Sequence, residues 1–282
     1  MLFDTHLHLI YPDRLNYPWL EGIPDLNKPY TYEDYYRDAA RLGIFGAMHM
    51  EVDVAVGDIK SEIEMVQDLQ SKPENLIKGA ISACRPEESG FSDFLNWASD
   101  QPLIKGFRRV LHVMPDGVCR ELGFCQSIEL LSDTRFTYDI CCRADQLYDA
   151  ISLVDACPNV RFVLDHCGVP DIAGSGFENW ASAMREVAKR PNVLAKISGI
   201  IAYGNLKTWT MDEIKPYFEH TVDCFGVERI IWGSDSPVCF LGGGLSTWVA
   251  LTYALTNNWS ENEKAAFYHQ NALQLWSIPL RS

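Results

Sequence analysis

Residues 1–8 read Met-Leu-Phe-Asp-Thr-His-Leu-His, and they place His6 and His8 at the end of a short apolar run. Side chains alternate between the two faces of a β-strand, so both imidazoles leave the same face if residues 2–7 form a strand. A rigid strand of this kind can present both rings to one metal ion or one substrate. Two ordinary histidines would show the same spacing, so the pair needs support from later segments.

Seven later segments resemble this first strand, and amphipathic helices separate them. Capping-box patterns at Thr31, Thr210 and Ser260 indicate where three of the helices begin. Alternating strands and helices predict an α/β fold, a (β/α)8 TIM barrel formed by one domain over residues 1–282. An open doubly wound sheet is the alternative, but no Gly-x-Gly-x-x-Gly follows the first strand. The predicted strands are 2–7, 45–52, 76–84, 103–111, 137–142, 160–166, 193–199 and 229–234.

Composition narrows the classes of partner and compartment. The formal net charge is −14, with no long basic run, which disfavours nucleic acid and anionic membranes as partners. No signal peptide and no apolar run of membrane-spanning length is visible. The nine cysteines include no Cys-x-x-Cys pair, and most lie in apolar segments, so we interpret them as buried reduced thiols. These features predict a cytoplasmic protein.

The carboxyl ends of the predicted strands carry ionisable residues, and TIM-barrel active sites lie at those ends. Three imidazoles and one carboxylate suit a single Zn²⁺ ion, or Mn²⁺ or another divalent ion with more oxygen ligands. Such an ion lowers the pKa of bound water from about 15.7 to about 7. The carboxylate would either ligate the ion or take the proton from the water. The residues in question are His6, His8, His166 and Asp235.

Three motifs together resemble the signature of the amidohydrolase superfamily. They are Asp-Thr-His-Leu-His at 4–8, Leu-Asp-His-Cys-Gly-Val-Pro at 164–170 and Gly-Ser-Asp-Ser-Pro-Val at 233–238. The similarity is greatest to the "amidohydrolase 2" branch of metal-dependent sugar lactonases, and it runs from residue 4 to about 276. Further segments similar to that branch are 17–20, 105–109 and 196–199.

The resemblance implies roles for the residues at the strand ends. His6, His8 and His166 match metal-binding or substrate-binding histidines, Asp235 matches the general base, and Arg108 matches an arginine near the lactone. One divalent metal is implied, although some relatives hydrolyse lactones without one, so metal-free catalysis stays open. The implied reaction is hydrolysis of a sugar-acid or related carboxylated lactone, a small-molecule substrate.

Four more residues are candidates for contact with the substrate. Glu51 ends the second strand, where the family usually has Gln. His112 shares strand parity with Arg108, and Arg143 follows the fifth strand. Trp19 lies in a long loop rich in proline and aromatic residues, at 11–30, and loops of this length are usually functional.

Other residues at the strand ends favour structural roles. Arg109 should point outward and form an ion pair, because strand neighbours face opposite ways. By the same parity Asp165 should face away from His166. Lys196 lies further from its strand end than Ser198 and is a weaker candidate.

Three other functions are consistent with parts of this pattern. A non-oxidative decarboxylase on the same scaffold would use similar residues. A metal-dependent nuclease is disfavoured by the −14 charge. A binding protein with a degenerate site is disfavoured by the intact set of strand-end residues.

Overall fold

The computed structural model describes residues 1–73, 75–174 and 176–280. Eight parallel strands pair in sequence order, each with the next, and form a nearly closed barrel, which confirms the predicted single-domain TIM barrel. Each strand overlaps its predicted segment. The strands are β1 Leu2–Leu7, β2 Ile44–Met50, β3 Ile77–Ala83, β4 Ile104–Val110, β5 Thr137–Cys141, β6 Arg161–Leu164, β7 Val193–Ser198 and β8 Ile230–Gly233.

Helices cover the outside of the barrel, and their apolar faces pack on the strands. The predicted capping boxes at Thr31, Thr210 and Ser260 are all present. The helices are α1 Tyr32–Arg41, α2 Ile59–Gln70, α3 Phe91–Ser99, α4 Leu122–Glu129, α5 Leu147–Ala156, α6 Phe177–Val187, α7 Met211–Phe225, α8 Leu245–Leu255, α9 Glu261–Ala265 and α10 Asn271–Leu275. Among the described residues, no helix is both long and apolar enough to cross a membrane.

The seam between β1 and β8 closes the barrel at its carboxyl end. The backbone N–H of His8 donates to the carbonyl of Ser236 at 2.8 Å, and that of Asp235 donates to the carbonyl of His6 at 2.9 Å. Beneath these bonds the buried Asp4 carboxylate accepts N–H bonds from His6 at 3.1 Å and Ser234 at 2.7 Å. The seam therefore fixes the first-strand histidines relative to Asp235.

The loop at 11–30 lies beside this carboxyl end. A bridge between Ile10 and Tyr30 joins its two ends, and a 3-10 helix at Pro18–Gly22 gives it local structure. The Trp19 indole donates a 2.7 Å hydrogen bond to the carbonyl of Val52, which follows β2. This bond holds the loop against the barrel.

The cysteines fit the predicted reduced state. All nine are free, and seven of them are buried.

Candidate active site

Three side chains from the two seam strands converge on one point. The Nε2 atoms of His6 and His8 lie 3.2 Å apart. Oδ1 of Asp235 lies 3.7 Å from the first and 3.4 Å from the second. All three side chains are buried. The strand parity predicted for His6 and His8 is therefore present, and the seam adds the carboxylate.

His166 reaches the same region from the end of β6. Its Nδ1 lies 2.9 Å from the Ser198 hydroxyl and 3.6 Å from Oδ2 of Asp235. Its ring centroid is 4.4 Å from that of His6. His166 and Asp235 both have left-handed backbones, with φ of 53° and 58°. Non-glycine residues in this region are uncommon and cluster at functional sites.

The donor atoms of this cluster fit a divalent metal ion. Two ligand atoms about 2.1 Å from a tetrahedral ion lie about 3.4 Å apart, which is close to the separations among His6, His8 and Asp235. Oδ2 of Asp235 and Nδ1 of His6 are buried without a hydrogen-bond partner among the described residues. Burial lowers the pKa of His8 to about 3, so the ring is neutral and able to ligate. A second group, His6, Asp165 and His166, also has donor atoms close enough to share an ion.

Asp235 has the properties of a base. Burial raises the pKa of its carboxyl to about 6, which makes it a stronger base than an exposed aspartate while leaving it ionised at neutral pH. Oδ1 faces the two histidines, and Oδ2 has no hydrogen bond. One oxygen can therefore hold an ion while the other accepts a proton.

Arg108 lies beside this cluster and is held by Glu51. Its Nε donates to Oε1 of Glu51 at 2.6 Å, and its Nη2 donates to the Glu51 carbonyl at 3.0 Å. Its Nη1 lies 3.3 Å from both Nε2 of His6 and Oδ2 of Asp165. Glu51 was predicted to contact the substrate, but its carboxylate is 1% exposed and binds Arg108 and the Asp53 amide instead. In the structure, Glu51 therefore holds the side chain of Arg108 in position.

A fully buried ion network supports Arg108 from below. Lys196 Nζ, from β7, lies 2.5 Å from Asp139 of β5 and 2.8 Å from Asp165. Although burial alone would raise it, the pKa of Asp165 is held well below its usual range by Lys196 and His6. Lys196 therefore stabilises a carboxylate that contacts both Arg108 and His6.

The predicted orientation of Asp165 was wrong. The parity argument assumed that the strand continued to residue 166, but β6 ends at Leu164 and a 3-10 turn follows. The turn directs both Asp165 and His166 toward the cluster, where Oδ1 of Asp165 lies 3.6 Å from Nδ1 of His6. The predicted outward orientation of Arg109 is confirmed, since its Nε binds Glu87 at 2.8 Å.

A cavity of about 280 Å³ opens above the cluster. Of the residues predicted to contact substrate, Trp19 and His112 line it. Arg143 does not, because its guanidinium binds Asp116, Asp145 and the His112 carbonyl. The catalytic and metal candidates that line it are His8, Arg108, His166 and Asp235.

Sequence reasoning missed Tyr203, which also lines the cavity. It ends a 3-10 turn at Ile200–Tyr203 after β7, and its ring centroid lies 6.0 Å from that of His166. The residue lies past the strand end, where strand parity carries no information. The glycine at 199 was the available signal, because it permits the sharp turn that brings Tyr203 back.

Replacing Gly199 by Ala should reduce turnover by displacing Asp235. Gly199 has φ of 57°, and a Cβ there would overlap Cβ of Asp235 and lie 2.8 Å from its Oδ2. Gly43→Ala is the matched control, because Gly43 has φ of 73° but nothing within 4 Å of an added Cβ. Both variants should lose about 1 kcal/mol of stability from backbone strain. Steady-state kinetics should show a kcat loss in Gly199→Ala alone; equal kcat in the two variants would contradict the prediction.

Comparison with known proteins places the chain among enzymes. A family model described as Amidohydrolase matches residues 3–278. An L-rhamnono-gamma-lactonase from Scheffersomyces stipitis is 22% identical over 98% of each chain. An L-fucono-1,5-lactonase from Burkholderia multivorans is 26% identical over 62% of this chain and 64% of that one. A crystal structure of a B. multivorans amidohydrolase with bound zinc has a TM-score of 0.89 at 20% identity, covering 99% of this chain and 100% of that one.

Proposed function

The chain belongs to the amidohydrolase family, and from this premise we propose that it is a hydrolase that opens a lactone by attack of water on the cyclic ester. The observation that carries the proposal is the convergence of Asp235, Arg108, His8 and His166 on the floor of one small cavity. A base, a cationic hydrogen-bond donor and neutral imidazoles are the groups that ester hydrolysis requires. The lactonase names of two relatives support the same reaction.

The proposed reaction has two steps. Asp235 takes a proton from water while the water oxygen attacks the lactone carbonyl carbon, and Arg108 stabilises the oxyanion that forms. The tetrahedral intermediate then collapses, the ring C–O bond breaks, and the proton held by Asp235 passes to the leaving alkoxide. The product is an open-chain hydroxy acid, and Asp235 is again ionised.

The residues that would hold a metal ion are His6, His8, His166 and Asp235. When bound there, one divalent ion, Zn²⁺ or Mn²⁺, would polarise the carbonyl and lower the pKa of the water. Asp235 would then serve as both ligand and base, through its two oxygens. Metal-free catalysis, with Arg108 as the cation that polarises the carbonyl, is the alternative.

Among lactones, the sequence resemblance and the relatives' names favour a sugar-acid or related carboxylated lactone as the substrate class. Trp19 and His112 are the proposed contacts in the cavity wall. The charge of −14 supports a small molecule rather than nucleic acid as partner. Location in the cytoplasm is part of the same proposal.

A pH-indicator assay of the purified protein against a lactone panel, with and without added Zn²⁺ or Mn²⁺, tests the proposal. We expect acid release above the spontaneous rate for at least one lactone. Release of CO₂ from aromatic or enoic acids, with no lactone turnover, would instead establish the decarboxylase alternative.

Protein purified without chelator should contain up to one equivalent of divalent metal per chain, measured by mass spectrometry of the metal content. His8→Asn should lose most of the bound metal, because the substitution removes one of the three clustered donor side chains. His220→Gln is the control, since His220 lies outside the site and contacts the Ala181 carbonyl and Cys224. Two equivalents per chain would contradict the mononuclear proposal.

A further inference from the structure

The walls of the cavity are apolar above its catalytic floor. Aliphatic side chains come from the loop at 11–30, from the ends of β2 and β4, and from the turn after β8. They include Leu26, Val52, Val110, Val238 and Leu241. The indole ring of Trp19 lines the same walls, and its N–H already donates to the Val52 carbonyl at 2.7 Å. These walls therefore offer a ligand dispersion contacts but few hydrogen bonds.

Most polar groups on the floor are already bonded to protein. Every donor nitrogen of Arg108 contacts Glu51, Asp165 or His6. Nδ1 of His8 lies 3.1 Å from the Met50 carbonyl, and Nδ1 of His166 bonds with Ser198. The floor can act on one ester group but has little capacity left for other polar substituents.

The carboxylate of Asp53 also lines the cavity but pairs with Arg85 and Arg109, so two other groups remain available to a polar substituent. Tyr203 and His112 both line the cavity, and among the described residues neither the Tyr203 hydroxyl nor Nε2 of His112 has a hydrogen-bond partner. A sugar lactone carries a hydroxyl or hydroxyalkyl group on most ring carbons. Binding it here would bury several hydroxyls against hydrocarbon, and a buried hydroxyl without a partner is unfavourable.

We infer that the substrate is a lactone with a hydrocarbon substituent and few or no ring hydroxyls. This inference rests on the proposed lactone hydrolysis but departs from the sugar-acid class that the relatives' names favour, because the cavity walls do not fit that class. The ester would lie over Asp235 and Arg108, and the substituent would pack on the wall formed by Leu26, Val238 and Leu241.

The apolar wall is short. Leu26 and Leu241 also line a neighbouring cavity of about 580 Å³. The rest of that second cavity is lined largely by ionisable side chains, among them Asp25, Lys28, Asp34 and Arg37. The substrate site therefore suits a short hydrocarbon substituent that ends at the two leucines.

The test compares six-membered lactones that share the reacting ester. The probes are δ-hexalactone, δ-octalactone and a sugar panel that includes L-fucono-1,5-lactone and D-glucono-1,5-lactone, with spontaneous hydrolysis subtracted. We expect kcat/KM for δ-hexalactone to exceed that of every sugar lactone by about 100-fold, the discrimination an apolar pocket gives against an added hydroxyl. Each added methylene should raise kcat/KM about fourfold until the wall is covered.

Val238→Thr probes the wall directly, because it exchanges a methyl for a hydroxyl of nearly the same size. It should lower about tenfold the ratio of kcat/KM for δ-hexalactone to kcat/KM for a sugar lactone. Val222→Thr is the control, since Val222 is a half-buried residue of α7 outside the cavity and should leave the ratio unchanged. Equal or faster turnover of a sugar lactone, or an unchanged ratio in Val238→Thr, would overturn the inference while lactone hydrolysis stands. Turnover of neither class would overturn the proposed function itself.

Discussion

Asp235→Asn should lower kcat/KM for the lactone substrate by about 10³-fold and leave the barrel folded. The amide cannot accept the proton from water, and a positioned general base contributes about 10²- to 10⁴-fold. The fold should persist because the structural bond of this residue is made by its backbone N–H, which donates to the His6 carbonyl. Among the described residues, Oδ2 accepts no hydrogen bond that the substitution would break.

The control for this variant is Asp145→Asn, which removes a carboxylate that is 71% exposed and pairs with Arg143 outside the cavity. Its kcat/KM should equal that of the unmodified protein. Circular dichroism melting curves on both variants check that the fold is kept. If Asp235→Asn keeps more than one tenth of the kcat/KM of the unmodified protein, Asp235 is not the general base.

Lys196→Met should destabilise the protein by about 3–5 kcal/mol, the usual cost of removing one partner of a buried ion pair. Lys196 pairs with both Asp139 and Asp165, and all three side chains are fully buried. Its loss leaves the buried Asp139 carboxylate without its ion-pair partner, whereas Asp165 keeps its contact with Arg108. At about 2–4 °C per kcal/mol for a chain of this size, the melting temperature should fall by roughly 10 °C.

Two variants separate this effect from a general sensitivity to lysine loss. Lys189→Met removes a lysine that is 64% exposed from a surface pair with Glu186 and should change stability by less than about 1 kcal/mol. Asp139→Asn keeps the 2.8 Å contact between Lys196 and Asp165, so it should cost less than Lys196→Met. Urea unfolding measures all three, and a loss below 1 kcal/mol in Lys196→Met would contradict the predicted role of the network.

The barrel was predictable because its signals are local. Strand segments are short apolar runs between turns, and a capping box such as Thr31 with Asp34 needs only four residues. The convergence of His6, His8 and Asp235 also followed, since a barrel of parallel strands brings all carboxyl ends to one face. Regular strand geometry was enough to predict where these residues lie.

The positions of the other site residues depend on where the strands end and irregular turns begin. The orientation of Asp165 was predicted wrongly because β6 ends two residues before the predicted end of the strand. The left-handed turn at His166 then breaks the alternation of side chains on which the prediction relied. Arg143 and Tyr203 lie on turns whose direction no alternation rule predicts. Glu51 lies at the end of the second strand, as predicted, but its partner Arg108 comes from another strand, and pairing of that kind is visible only in three dimensions.

The seam between the first and last strands has a consequence for how the molecule is made. His6 and His8 leave the ribosome before Asp235 and the carbonyl of Ser236, which emerge only when the eighth strand is complete. The donor set therefore does not exist on the growing chain, and long-range closures of this kind come late in folding. A ligand that bridges the seam would bind the closed barrel in preference to any open intermediate, and by mass action would favour the finished fold.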